Sequence, residues 1–264
     1  MTKPLVVITA ENLASCRIMA PLLERLAPEI ALVMLVPNTP VGSGGDLQRL
    51  RRMVSRAALS FSAFKAVEIH GHHLLARLRG RTVARMTERT GVPLRRYPSA
   101  DDPAFIADLQ AAAPRYLLSA GPAILGAEVL SAPTEATLNC HCARLPEYRG
   151  AANYVWMLVE GESTAWASIQ VMELALDEGP LLAERPLAID PSWSAYRLNF
   201  ELAGAAGELY AETVERALRE GLPDPIERPG AEPRNRGLPK RPAMRSLRAR
   251  GRRLIRPADP FRCV

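Results

Sequence analysis

Two apolar, β-branched runs near the N-terminus, LVVIT (5–9) and IALVMLV (30–36), bracket a stretch in which Ile18, Leu22, Leu23 and Leu26 fall at helical spacing. A strand that is apolar along its whole length, rather than at alternate positions, is covered on both faces. Strand, helix, strand in that order is a βαβ opening, and the expected fold class is α/β. The chain continues in the same alternation. VPLRRYP (92–98), RYLLSA (115–120), ATLNCHC (136–142) and WASIQVMEL (166–174) read as further strands. DPAFIADLQAAAP (102–114) reads as a short helix, and NYVWMLVEG (153–161) as another that Gly161 closes. A long helix is expected over 194–221, with Leu198, Leu202, Leu209 and Leu218 among its apolar positions. Residues 47–90 are rich in Leu, Ala and Arg with few breakers, and read as a helical insertion.

A chain of 264 residues suits one large domain or two small ones, and 48% hydrophobic residues are enough for a core. The net charge of +6 misleads as an average. Residues 234–264 hold eleven Arg or Lys and one Asp, a segment of +10, which leaves a body of 23 basic and 27 acidic residues. A body of −4 argues against a basic nucleic-acid face on it. Eight of the 23 prolines fall between 223 and 264, so residues 222–264 are expected to run as a Pro/Arg-rich, extended and solvated tail after a domain spanning 1–221. Within it RSLRARGRRLIRP (245–257) can form a short basic helix, suited to RNA, acidic lipid or an acidic partner.

The four cysteines, Cys16, Cys140, Cys142 and Cys263, show no disulfide-framework spacing, which points to a reducing compartment. The N-terminus enters a strand with no signal-like apolar core, and no apolar run approaches the roughly 20 residues that a bilayer span needs. A soluble, cytoplasmic protein is expected. Two local motifs are weak. VGSGGD (41–46) lacks the spacing of a nucleotide loop, and a plain turn is the simpler reading. HGHH (70–73) sets His72 and His73 about 100° apart on a helix, a poor arrangement for one metal.

The segment LNCHCARLPEYRG (138–150) is the informative one. Zinc sites usually gather ligands from two separated pairs, whereas here Cys140, His141 and Cys142 are consecutive. On a strand the two cysteines share one face, and Asn139 and His141 take the other. At the end of such a strand both can turn into a cleft at the C-terminal edge of the sheet, where open α/β folds bind ligands.

Three motifs in register carry a family resemblance. They are Asn139-x-His141, then Leu145-Pro146-Glu147-Tyr148-Arg149-Gly150, then Leu176-Asp177-Glu178-Gly179. Together with YLLSAGPAILGAEVLSAP (116–133) they resemble the folate-dependent formyltransferase domain, shared by methionyl-tRNA, glycinamide ribonucleotide and sugar N-formyltransferases. The resemblance covers roughly residues 3–215 and is strongest between 116 and 185. It implies a Rossmann-like three-layer domain with a mostly parallel sheet. It also implies transfer of a formyl group from 10-formyltetrahydrofolate to a primary amine of a small molecule, such as an amino sugar nucleotide or an amino acid derivative.

That reaction passes through a tetrahedral intermediate with a negative oxygen, which needs fixed donors. A charged His141 and the Asn139 amide would supply them, with Asp177 favouring the charged ring and handling the amine proton. The resemblance further implies that the donor's pterin meets backbone around Ala123, Ile124, Leu125, Leu176 and Asp177. Arg149 either contacts an anionic substrate or shapes the turn. The chain departs from the family in having Ala143-Arg144 where relatives often have Ser-Leu, and Arg144 would suit a phosphate or carboxylate on the acceptor. Alternatives are a methionyl-tRNA formyltransferase whose basic tail contacts tRNA, a hydrolase releasing formate from the same donor, and a non-enzymatic relative. The oligomeric state is left open, a homodimer included.

Overall fold

The computed structural model describes residues 3–37, 57–121 and 125–263. Strand β1 (Leu5–Thr9) leads through helix α1 (Leu13–Leu26) to β2 (Ile30–Leu35). Asn12 caps α1, its side chain accepting from the Ser15 amide at 2.9 Å, which satisfies a first-turn donor that has no partner within the helix. Then follow α2 (Leu59–Leu78), α3 (Val83–Thr90), β3 (Leu94–Arg96), α4 (Pro103–Ala112), β4 (Tyr116–Ala120), the single turn α5 (Ala127–Leu130) and β5 (Ala136–His141). The short strand β6 (Arg149–Gly150) precedes α6 (Asn153–Glu160), β7 (Thr164–Val171), β8 (Leu181–Ala188) and the long α7 (Ala195–Glu220). The chain closes with β9 (Asn235–Arg236), α8 (Arg241–Ala249) and α9 (Asp259–Arg262).

Among the described residues seven strands form one sheet in the order β3-β2-β1-β4-β5-β7-β8. The five from β3 to β5 are parallel, and β7 and β8 join antiparallel at one edge. Strand alternation sorts the apolar runs between two cores. Leu5, Val7 and Leu118 face a large core built with α1 and α7, while Val6, Ile8 and Leu117 face a smaller one with Phe105 and Leu109 of α4. The sheet is thus sandwiched between helices, an α/β fold of three layers.

The structure differs from the sequence reading in three places. The strand expected over 166–174 ends at Val171, and Leu174 stands in solvent at 73% exposure. Strand β8 is not foreseen, because LLAERPLA mixes polar residues with a proline. It lies at the sheet edge, where Pro186 leaves no ladder donor missing. Third, residues 222–263 are not a solvated tail but lie on the domain. Ala243, Met244 and Leu247 of α8 and Cys263 are buried, and β9 pairs with β6. Arg228 bridges Glu147 and Glu184, each at 2.6 Å. Prolines deny this segment long regular elements, but apolar anchors spaced along it and carboxylates on the acidic body hold it down. The basic helix itself runs over Arg241–Ala249, with Pro242 in its first turn, where the missing amide costs nothing.

The described part of the helical insertion, from residue 57 on, forms α2 and α3, with His72 of the HGHH motif buried. The VGSGGD loop lies outside the described residues. No helix among the described residues is long and apolar enough to cross a membrane.

Candidate active site

β5 ends at the C-terminal edge of the parallel strands in Asn139, Cys140 and His141. Cys140 points into the large core, its sulfur 3.5 Å from the Ala206 carbonyl of α7. Asn139 and His141 take the opposite direction and are both half-buried. Register places Asn139 beside Ser119 of β4 and Gln170 of β7. Its amide makes no hydrogen bond to any described residue.

The His141 ring is held at Nε2 and faces a carboxylate at Nδ1. Nε2 lies 2.8 Å from the carbonyl of Tyr148, and since a carbonyl only accepts, Nε2 carries the proton. The Asn153 amide donates to the same carbonyl at 3.1 Å and to that of Gly150 at 3.1 Å, which explains its 3.2 Å approach to Nε2 as two donors meeting at one acceptor. Nδ1 faces Asp177 Oδ1 at 3.6 Å. That is long for a direct hydrogen bond but close for two charges with little solvent between them.

Asp177 owes its aim to its backbone, which sits in the left-handed region at φ 55°, a conformation that Asp tolerates better than most residues. One oxygen accepts from the Gly150 amide at 2.9 Å and the other from the Gln170 side chain at 3.3 Å. The sheet therefore brings Asn139, His141 and Asp177 to one place. The unsatisfied donors there are the Asn139 amide and, when the ring is charged, His141 Nδ1. Two donors beside a carboxylate can hold a developing oxyanion and accept a proton.

The remaining expected site residues fall in different surroundings. Ala123 and Ile124 lie outside the described residues. Leu125 buries its side chain in the smaller core, while Leu176 is 52% exposed next to Asp177. Arg149 donates to Glu178 at 2.6 Å and so ties the Tyr-Arg-Gly turn to the Asp177 loop. The Arg144 guanidinium stacks on Trp166, 4.3 Å from the ring centroid, 3.9 Å from Glu147. It lines a cavity of about 370 Å³ with Glu147, Glu160 and Arg236, a cavity that none of Asn139, His141 and Asp177 reaches. The sequence reading missed Gln170 and Asn153. Gln170 did not stand out, because β7 also holds the polar Thr164 and Ser168. Asn153, opening a helix, carried no signal.

Residues 73–214, more than half of the chain, match the family model described as formyl transferase. A methionyl-tRNA formyltransferase of Thermodesulfovibrio yellowstonii is 30% identical over 149 residues, 56% of this chain and 48% of that protein. The chain thus spans about half the length of this curated relative. Among solved structures, the phosphoribosylglycinamide formyltransferase of Streptococcus pneumoniae superposes with a TM-score of 0.56 at 16% identity, over 82% of this chain and 99% of that one. An N-formyltransferase of Helicobacter canadensis, solved with folinic acid and dTDP-3-aminofucose, gives 0.54 at 12% identity over 89% and 71%. At those identities the likeness is one of fold.

Proposed function

The chain belongs to the formyl transferase family, and on that premise we propose that it moves a formyl group from 10-formyltetrahydrofolate to a primary amine of a small molecule, an amino sugar nucleotide or an amino acid derivative. The observation that carries this reading is the approach of Asp177 to His141 beside the amide of Asn139. The donor supplies an amide-like formyl carbon. The chain's own part is electrostatic. The Asn139 amide and the His141 ring face the oxygen that becomes negative, and Asp177, 3.6 Å from the ring, accepts the amine proton directly or through water.

The test is incubation of the purified chain with 10-formyltetrahydrofolate and a panel of amines, reading tetrahydrofolate and formylated amine by mass spectrometry. Product formation that disappears in His141→Ala supports the reading. Formate released at the same rate without any amine replaces it with a hydrolase. Calorimetric titration with 5-formyltetrahydrofolate separates the donor from the acceptor: absence of binding removes folate from the proposal.

One alternative has an observation of its own. Arg241, Arg245 and Arg248 lie on the exposed side of α8, and the cited curated relative is named for methionyl-tRNA. A tRNA acceptor would then meet that helix through its phosphates, and binding would weaken steeply with salt. Unchanged tRNA affinity in a variant with all three arginines replaced by alanine would dismiss it.

A further inference from the structure

We propose that Arg236, in the segment after Gly221, is a positioning residue for the His141–Asp177 pair and acts on it through Tyr148 and Gly150. The proposal rests on the reading of that pair as the catalytic centre.

His141 and Asp177 are not held by the sheet alone. His141 Nε2 donates to the Tyr148 carbonyl, and Asp177 accepts from the Gly150 amide. Both groups belong to one short turn, so whatever fixes the turn fixes the pair. The segment around Arg236 encloses it. β9 pairs in parallel with β6, aligning Asn235 with Arg149 and Arg236 with Gly150. The Arg149 amide donates to the Arg234 carbonyl at 3.1 Å, and the Ala151 amide to the Arg236 carbonyl at 3.3 Å. Gly150, at φ 93°, packs so close that a Cβ there would lie 2.5 Å from the Arg236 carbonyl oxygen.

The Arg236 side chain locks this arrangement. Its guanidinium grips both oxygens of Glu160 at the end of α6, with Nη2 to Oε2 at 2.8 Å and Nη1 on Oε1. It also lies over the Tyr148 ring, 5.1 Å from the centroid, and near the Trp156 ring at 5.6 Å. The Tyr148 hydroxyl lies 2.8 Å from Glu160 and 2.9 Å from Glu162, and its single proton goes to one of the two carboxylates at a time. Arg236, Glu160 and Tyr148 thus close a ring of contacts. Its backbone exits are the carbonyl that fixes the His141 tautomer and the amide that aims Asp177. The guanidinium is mostly shielded, at 16% exposure, and a two-point grip of this kind is worth more than a surface ion pair. The segment that the sequence reading set aside as solvent-exposed is, on this view, part of the active-site scaffold.

The experiment uses full-length protein labelled with ¹⁵N histidine. The chain has four histidines, and His141→Asn assigns the signal of interest. In the wild type the neutral His141 ring should show one tautomer, protonated at Nε2. In Arg236→Ala the turn loses its side-chain anchor and the Tyr148 carbonyl is held less firmly, so the two ring nitrogens should move toward averaged shifts, and kcat should fall on the order of 10- to 100-fold with little change in KM for the donor. Arg236→Lys keeps the charge but cannot grip both carboxylate oxygens, so it should fall between the two. Glu160→Gln loosens the same link from the other end, and should give the same signature if Arg236→Ala does not fold. Glu24→Ala on the exposed side of α1 is the control. Folded Arg236→Ala and Glu160→Gln proteins with an unaltered His141 tautomer overturn the proposal. The ring signals need no substrate. An altered ring in a protein that transfers no formyl group would therefore sustain this inference while removing the catalytic reading.

Discussion

Asp177 serves His141 and Gly150 at once, facing the ring nitrogen of one at 3.6 Å and accepting the amide of the other at 2.9 Å. The first contact depends on charge and the second on hydrogen bonding. Asp177→Asn keeps the shape and removes the carboxylate that accepts the amine proton. We expect a loss in kcat on the order of 100-fold, with donor binding by calorimetry retained. His141→Ala removes a donor outright and should cost about 100- to 1000-fold. Full activity in either variant would detach the chemistry from this pair.

The loop that delivers Asp177 also depends on Gly179. A Cβ at that position would lie 1.9 Å from the Val171 carbonyl oxygen and 2.9 Å from its carbon, both backbone atoms that cannot swing away. Gly179→Ala must therefore displace the loop or the end of β7. We expect it to lower activity at least as much as Asp177→Asn, and to reduce stability by about 1–3 kcal/mol, the usual cost of forcing atoms into a filled space. A crystal structure of the variant with Asp177 still at His141, together with wild-type turnover, would contradict this.

The cysteines flanking His141 are expected to be chemically quiet. Burial pushes the Cys142 thiol up to about 12, and burial together with the neighbouring Cys142 raises Cys140 well above the ordinary thiol range. Both are therefore neutral thiols at physiological pH, and a neutral thiol is neither a nucleophile nor a metal ligand. Among the described residues no three His, Cys, Asp or Glu side chains converge on a point that could hold a metal ion. The double variant Cys140→Ala, Cys142→Ala should keep activity within several-fold of the wild type. Zinc copurifying at one per chain, with activity lost on its removal, would reverse the assignment.

How much of this could be read in advance follows from how local each signal is. β1 and β2 announce themselves because each is an almost unbroken apolar run, the pattern of a strand covered on both faces. β8 could not announce itself, since an edge strand with Pro186 is stabilised by its pairing with β7 rather than by its own composition. The segment after Gly221 was misjudged for the same reason. Prolines and arginines look like solvated chain until their partners are known, and the partner of Arg236, Glu160, is 76 residues away. In the site, Asn139, His141 and Asp177 were legible as spaced motifs. Gln170 and Asn153 were not, because they act on a carboxylate and on backbone carbonyls that only the fold brings to them. Arg144, read from the sequence as suited to an anionic acceptor, stacks its guanidinium on Trp166 and lines a cavity there.

His72 gives the fold an acid sensitivity separate from the site. It is 3% exposed on α2, and neither ring nitrogen has a hydrogen-bond partner among the described residues. Glu68, one turn away, directs its carboxylate to Tyr154 at 3.2 Å and Asn199 at 2.8 Å instead. Burial lowers the His72 pKa from 6.5 to about 4, with the charge of Glu68 opposing the shift and that of His73 adding to it. Between those two values the unfolded chain binds a proton that the folded chain refuses. Stability from this group is complete above about pH 6.5, declines as the pH falls, and levels off below about 4, a total on the order of 3 kcal/mol. Urea unfolding at pH 8 and pH 5 checks it. Between those pH values His72→Leu should lose about 2 kcal/mol less stability than the wild type. Equal losses in the two proteins would mean that the ring is solvated, and that α2 does not seal against α6 and α7 as described.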